Sequence, residues 1–185
     1  VVFGAGKAGG ASAALAAAGG ANVTVFEMRQ DRMDEMMRMG PNVTALYPYH
    51  DVVARAVAAA DLVVGAVLVT GAKAPHVMSR EMLREMEDGS VVVDIAIDQG
   101  GCFETSRPTN WQEPTYVEEG VTHFCVTNMP GAVPQTSSQA ICAAILPWVN
   151  KLASGDQWRS NEAMVKGINT EAGKLVHPAL QDMKL

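Results

Sequence analysis

Val1-Val2-Phe3-Gly4-Ala5-Gly6-Lys7-Ala8-Gly9-Gly10 carries a short β-branched and aromatic run into a Gly-x-Gly-x-x-Gly turn, and residues 11–18 continue as an Ala-rich, helix-favouring segment. Strand, glycine turn and helix in that order form the context that makes this spacing a dinucleotide fingerprint rather than an ordinary turn. Each glycine has its own physical task. Gly4 permits the tight turn, Gly6 lets backbone approach a pyrophosphate, and Gly9 lets the helix pack closely on the strand. The helix N-terminus then presents unpaired N–H groups and the positive end of its dipole to the phosphates. The alternative is a glycine turn that does no more than pack a helix.

Reading outward, Gly19-Gly20 stops the first helix and residues 22–27 form the second strand, closed by Glu27. Glu27 follows Gly9 at close to the spacing of about twenty residues at which an acid meets the adenosine ribose hydroxyls. A carboxylate there repels a 2′-phosphate, so NAD is expected over NADP. Arg29 and Arg32 lie nearby and would soften that discrimination in an NADP-linked relative. Asp31 is expected to cap a helix running to residue 39, whose methionine stripe (Met33, Met36, Met37) is read as core. Residues 43–46 form a third strand and 51–60 a helix. Residues 61–69 are nearly continuously apolar, the pattern of a strand buried on both faces of a parallel sheet. Ser79 is expected to cap a helix ending near Gly89, and residues 90–97 to form another buried strand. Residues 98–120 hold Gly100-Gly101, Pro108 and Pro114 and are read as a long functional loop leaving the end of that strand. Residues 121–126 give a sixth strand, and Thr136 or Ser137 caps a long helix to residue 152. This alternation predicts an α/β class: a Rossmann-type, doubly wound, mostly parallel sheet with helices on both faces, plus C-terminal helices. The expected division is a dinucleotide-binding domain over residues 1–152 and a helical segment over 153–185.

Composition narrows the function classes. A length of 185 residues with 48% hydrophobic and 18% charged residues suits a globular domain rather than a disordered chain. A net charge of −6 with scattered Lys and Arg argues against nucleic acid and against an anionic membrane surface as partners. No apolar run approaches the roughly 18 residues of a membrane span. Cys102, Cys125 and Cys142 show no CxxC spacing, which points to free thiols in a reducing cytoplasm. The sequence starts without Met inside a strand, so an upstream segment is expected.

Asp98 is the strongest candidate for chemistry. It lies past a buried strand beside two glycines, where a carboxylate can orient the ribose of the nicotinamide half or take part in proton transfer. Arg107, in the same loop, can pair with phosphate or amide oxygen. His123 and Cys125 alternate on one strand with Cys102 in reach, but zinc spacing is absent and no metal is expected. Lys73 is read as a solvated loop lysine. These residues alone lead to an NAD-binding domain of an oxidoreductase, with no particular substrate.

Three longer motifs carry a family resemblance. Residues 93–109 (Val-Asp-Ile-Ala-Ile-Asp-Gln-Gly-Gly-Cys-Phe-Glu-Thr-Ser-Arg-Pro-Thr), residues 65–75 (Gly-Ala-Val-Leu-Val, then Gly-Ala-Lys-Ala-Pro) and residues 126–134 (Val-Thr-Asn-Met-Pro-Gly-Ala-Val-Pro) closely resemble alanine dehydrogenases, and the match runs over nearly the whole chain. The NAD domain of proton-translocating transhydrogenases is similar in architecture but lacks the pattern of residues 98–109. The resemblance implies reversible, NAD-dependent oxidative deamination of L-alanine to pyruvate and ammonia, with Asp98 as a catalytic residue beside the nicotinamide. It implies cofactor contacts at Lys7, Ala8, Glu27, Arg32, Val67, Leu68, Ile95, Ala96, Ile97, Asp98, Arg107, Val126, Thr127, Asn128 and Met129, beside Gly4, Gly6 and Gly9. Two residues depart from the family pattern: Glu27 stands where Asp is usual, and Pro48 where Ser is frequent. The family also implies a homo-oligomer (a hexamer) and a substrate domain ahead of the glycine turn, supplying an Arg, a Lys and a His and packing against residues 153–185. The competing expectations are a non-catalytic NAD-binding or interaction module and the NAD domain of a transhydrogenase-like protein.

Overall fold

A computed structural model describes residues 1–69 and 75–180. Lys73 lies outside them. The chain divides into two compact units, Val1–Asn128 and Met129–Leu185. The long helix that follows residue 133 lies in the second unit.

The first unit alternates strand and helix: β1 (Val2–Phe3), α1 (Lys7–Ala18), β2 (Val23–Phe26), α2 (Gln30–Met37), β3 (Val43–Leu46), α3 (His50–Ala58), β4 (Leu62–Gly65), α4 (Arg80–Arg84), β5 (Val91–Asp94), β6 (Thr115–Glu118) and β7 (Val121–Phe124). These strands form one sheet in the order β3-β2-β1-β4-β5-β7-β6. Every pairing is parallel except β6 against β7. Because strand side chains alternate between faces, neighbouring residues feed separate cores. Phe3, Phe26, Val63 and Val92 pack with Val57 of α3 and Leu83 of α4. Val2, Val25, Val43 and Val64 pack with Ala13 of α1 and Met36 of α2. Helices thus cover both faces, as a doubly wound sheet requires.

The chain proceeds outward from β1 through β2 to β3, then returns to β4 on the other side of β1. The carboxyl ends of β1 and β4 therefore flank the topological switch point, where open α/β sheets bind ligands.

Several local expectations are corrected. Strand β4 ends at Gly65 and not at residue 69; Leu68 and Val69 are 62% and 42% exposed, so the apolar run continues into a surface cleft. Strand β5 ends at Asp94, whose side chain accepts from Ala96 N and starts a 3₁₀ turn, Ile95–Gln99. Asp98 thus sits inside a helical turn. The stretch 98–120 is not structureless, since β6 lies within it and makes Val121–Phe124 the seventh strand rather than the sixth. Glu119 and Gly120 join β6 to β7 with φ of 51° and 80°, the left-handed pair of a two-residue hairpin. Asp31 does not cap α2; it pairs with Arg29 at 2.6 Å. Ser79 does cap α4, accepting from Met82 N at 3.3 Å.

In the second unit α5 (Pro134–Ala153) begins with proline in its first turn and has no side-chain cap. The Ser137 hydroxyl donates instead to Pro130 O at 2.6 Å. Helix α6 (Glu162–Lys166) is capped by Asn161. A small hairpin follows, β8 (Thr170–Glu171) and β9 (Lys174–Leu175), turning at Ala172-Gly173 with φ of 48° and 77°. The sequence reading expected only helices here.

Candidate cofactor site

The glycine turn joins β1 to α1, and its three glycines stand in different surroundings. Gly4 has φ of +90°, and a Cβ there would lie 2.7 Å from Ala66 O. A Cβ on Gly9 would collide with the Gly4 carbonyl oxygen, whereas one on Gly6 meets nothing within 4 Å. Gly4 and Gly9 are therefore bare for the sake of the protein's own packing. Gly6 keeps a space that no protein atom fills. It is also the N-cap residue of α1 and offers no side-chain acceptor, and the first turn holds no acidic residue. The leading N–H groups of a helix 12 residues long are thus free of side-chain caps. Lys7 and Ala8 stand exposed in that turn.

Beside the turn is a cleft of about 420 Å³ whose lining includes Gly6, Glu27, Arg32, Pro48, Val67 and Leu68. Glu27 is anchored by backbone: its Oε2 accepts from Ala5 N at 2.9 Å, and its Oε1 from Met28 N at 2.8 Å and Arg29 N at 3.1 Å. Arg32 donates to Ala5 O at 3.0 Å, so the peptide groups around Ala5 are held by an acid on one side and a base on the other. Arg29 pairs with Asp31 through both Nε and Nη2. Both arginines that would welcome a 2′-phosphate are engaged, and the carboxylate dominates that wall. A second depression, of about 520 Å³, is lined only by α3, α4 and their flanking residues, among them His50, Arg55 and Glu81. It carries no glycine turn.

Asp98 lies exposed at the same sheet edge, because β1, β4 and β5 run parallel and end together. Both its oxygens accept from Asn128 N, at 3.1 and 3.2 Å. Asn128 adopts φ of +50°, which is uncommon outside glycine. The segment before it is tied to the Asp98 loop by a parallel bridge between Thr109 and Val126 and by Thr127 N donating to Thr109 O at 3.2 Å. Ile97 and Val126 turn their side chains into the core. Ile95, Ala96 and Thr127 lie in the same two segments. Met129 opens the second unit.

Arg107 is exposed and does not line the cleft. Its guanidinium lies 3.8 Å over the Tyr116 ring, and its N–H donates to the Tyr116 hydroxyl at 2.9 Å. That hydroxyl donates in turn to Thr105 O at 2.8 Å, and the ring stacks on His123. His123 is fully buried, with Nδ1 3.0 Å from Val121 O and Nε2 2.8 Å from the Thr105 hydroxyl. The carbonyl can only accept, so Nδ1 carries the proton and Nε2 accepts from Thr105. Burial pushes the His123 pKa down, which suits this neutral tautomer. Burial first, then the charge of Asp94, pushes the Cys102 thiol pKa up, so it stays protonated. Among the described residues no cluster of three His, Cys, Asp or Glu side chains is placed to hold a metal. Among them also, no helix is long and apolar enough to cross a membrane. Sequence reasoning missed Asp94 and Tyr116, which act through partners distant in sequence.

The strand order, the bare glycine turn at the switch point and the acid closing β2 define a Rossmann-type dinucleotide-binding domain. The chain matches the family model described as alanine dehydrogenase/PNT, C-terminal domain, over residues 1–178, and it belongs to that family. It is 44% identical over 185 residues to the alanine dehydrogenase of Halomonas elongata, covering 98% of this chain and 50% of that one. A solved L-alanine dehydrogenase superposes with a TM-score of 0.86 at 43% identity, over 97% of this chain and 51% of the other. A transhydrogenase from Sinorhizobium meliloti superposes with a TM-score of 0.78 at 28% identity, over 96% and 49%. The chain spans about half the length of the curated relatives it matches. Family and fold together imply NAD as the cofactor, and the space over Gly6 with the acid at Glu27 is compatible with it.

Proposed function

We propose that this chain supplies the cofactor half of an alanine dehydrogenase that converts L-alanine, NAD⁺ and water to pyruvate, ammonium, NADH and a proton, reversibly. The observation that carries the reading is the clamped Asp98 carboxylate at the strand edge shared with the glycine turn. NAD supplies the hydride acceptor when bound. Gly4, Gly6 and Gly9 with the start of α1, Lys7 and Ala8 included, hold its pyrophosphate. Glu27 accepts from the adenosine ribose hydroxyls, with Arg32, Val67 and Leu68 forming the walls around it. Residues 95–98, Arg107 and 126–128 flank the nicotinamide half. There Asp98, fixed through Asn128 N, orients the ribose or relays a proton released in the deamination. The carboxylate anchor for alanine is not assigned to this chain. We place the protein in the cytoplasm as a homo-oligomer, on the family resemblance.

A second reading, the NAD domain of a transhydrogenase-like protein, is favoured by the likeness to the Sinorhizobium meliloti protein. One experiment separates them. The complete polypeptide is incubated with L-alanine and NAD⁺, and NADH is followed by absorbance. NADH formation that depends on alanine is expected. NAD binding without alanine-dependent NADH would refute the proposal and leave a transhydrogenase-like or non-catalytic module.

A further inference from the structure

Asp94 ends β5 with 0% exposure, and its carboxylate collects four donors. Oδ1 accepts from Ala96 N at 2.9 Å and lies 3.5 Å from the Cys102 thiol; Oδ2 accepts from Cys102 N at 2.8 Å and from the Ser106 hydroxyl at 2.5 Å. Ala96 lies in the 3₁₀ turn Ile95–Gln99, and Cys102 follows that turn past Gly100 and Gly101, which have φ of 96° and 79°. One carboxylate therefore closes both ends of the segment that carries Asp98. The fit is tight, since a Cβ on Gly101 would stand 3.0 Å from Asp94 Oδ2. Asp94 also sits opposite Gly65 in the β4–β5 register, next to the strand that leads into the cleft.

We propose that Asp94 is a positioning residue for Asp98: its buried carboxylate sets the 95–101 turn so that Asp98 meets Asn128 N. The donor set explains the residue type. All four partners donate, and an ionised carboxylate is acceptor-only on both oxygens. Asparagine has the same shape but in either orientation turns its NH₂ group toward a backbone N–H, of Ala96 or of Cys102, which can only donate. The turn then loses one of its two closures and Asp98 loses its register against Asn128. The catalytic consequence rests on the alanine dehydrogenase reading; the geometric one does not.

The test uses Asp94→Asn, with Ser106→Ala as a milder variant that removes a single donor. In the ¹⁵N-labelled 185-residue chain, the Asn128 amide proton is read as the signature of its bond to the Asp98 carboxylate. In Asp94→Asn it is expected to move upfield while amides of β1, β2 and β3 keep their wild-type positions. In the complete polypeptide, kcat for alanine oxidation is expected to fall on the order of 10²-fold, with KM for NAD⁺ held within about threefold. An Asn128 amide unmoved in both variants overturns the proposal. So does a wild-type kcat in Asp94→Asn, or a fall in activity that only tracks loss of the folded chain. Should Asp94→Asn fail to fold, Ser106→Ala decides: an upfield Asn128 amide beside unmoved β1–β3 amides supports the role, and an unmoved one refutes it. A wild-type polypeptide inert toward alanine defeats the proposed function, and the amide measurement still decides the role of Asp94.

Discussion

Replacing Gly6 by serine separates what the glycine turn does for the protein from what it does for the cofactor. Gly6 has φ of −71° and ψ of −167°, an extended conformation open to any residue, and a Cβ there meets no atom within 4 Å. It is also the N-cap of α1, a position where serine is favoured over glycine by a few tenths of a kcal/mol. The unliganded variant is therefore expected to melt at or slightly above the wild-type temperature. The new side chain nonetheless fills the space that the pyrophosphate approach requires. Forcing extra atoms into a fitted contact costs about 1–3 kcal/mol. At about 1.4 kcal/mol per factor of ten, that weakens NADH binding by roughly 5- to 150-fold. Thermal unfolding by circular dichroism and titration calorimetry with NADH give the two readouts. Gly9→Ala is the control. Its Cβ runs into the Gly4 carbonyl, so it is expected to lower stability and affinity together. Wild-type NADH affinity in Gly6→Ser would show that no phosphate approaches this backbone, and the assignment of the turn would fall.

Tyr116→Phe removes the hydroxyl that links Arg107 N to Thr105 O. It is expected to cost about 0.5–1.5 kcal/mol, the net worth of an ordinary hydrogen bond, because Arg107 is exposed and only the Thr105 side of the link is buried, measured by urea denaturation; an unchanged midpoint would refute the clamp. His123 has its pKa lowered by burial, so the unfolded chain binds a proton before the folded one does as pH falls below the ordinary 6.5. Stability attributable to His123 is thus intact above pH 6.5 and declines below it, by at most about 1.4 kcal/mol per pH unit. His123→Gln should flatten that slope in denaturation midpoints taken from pH 7.5 to 5, and an identical slope would count against it. Cys142 is exposed while Cys102 and Cys125 are buried with raised pKa values. A thiol reagent should label Cys142 alone in the native chain, and prompt native-state labelling of Cys102 by mass spectrometry would contradict the burial.

The cofactor side of the fold was legible because its signals are local. Gly4, Gly6 and Gly9 lie within one turn, Glu27 closes the next strand, and Ser79 caps α4 from the adjacent residue. What escaped is non-local or ambiguous by nature. The apolar run over 61–69 reads as buried strand, but Leu68 and Val69 are apolar because they line a cleft. Nothing in a hydrophobic pattern separates those two reasons for being apolar. β6 was hidden by Pro114 before it and by a Glu-Gly turn, which lacks the Asn-Gly or Asp-Gly signature of a tight hairpin. Asp94 looked like one more residue of a buried strand, since its partners Cys102 and Ser106 lie 8 and 12 residues on. Asp98 stands out in the sequence by its glycines and the family motif; its partner Asn128 lies 30 residues away.

Glu27, a residue set apart in the sequence by its place at the close of β2, is fixed by its backbone partners. The Glu27 carboxylate reaches back to Ala5 N with one oxygen while the other closes the turn at Met28 and Arg29. Arg32 holds the carbonyl of the same Ala5. The glycine turn is therefore braced by β2 and α2 through side chains of opposite charge. Two carboxylate oxygens have about four lone-pair sites, and three backbone N–H groups use three of them, which leaves acceptor capacity for a ribose hydroxyl. A 2′-phosphate would bring nearly two further negative charges against an acid that backbone bonds hold in place. Arg29 is tied to Asp31 and Arg32 to Ala5, so neither compensates without giving up a bond it already makes. If the adenosine ribose meets this wall, selection for NAD over NADP is expected from its rigidity as much as from its charge: a mobile acid would swing away from a phosphate, and this one is held at both oxygens.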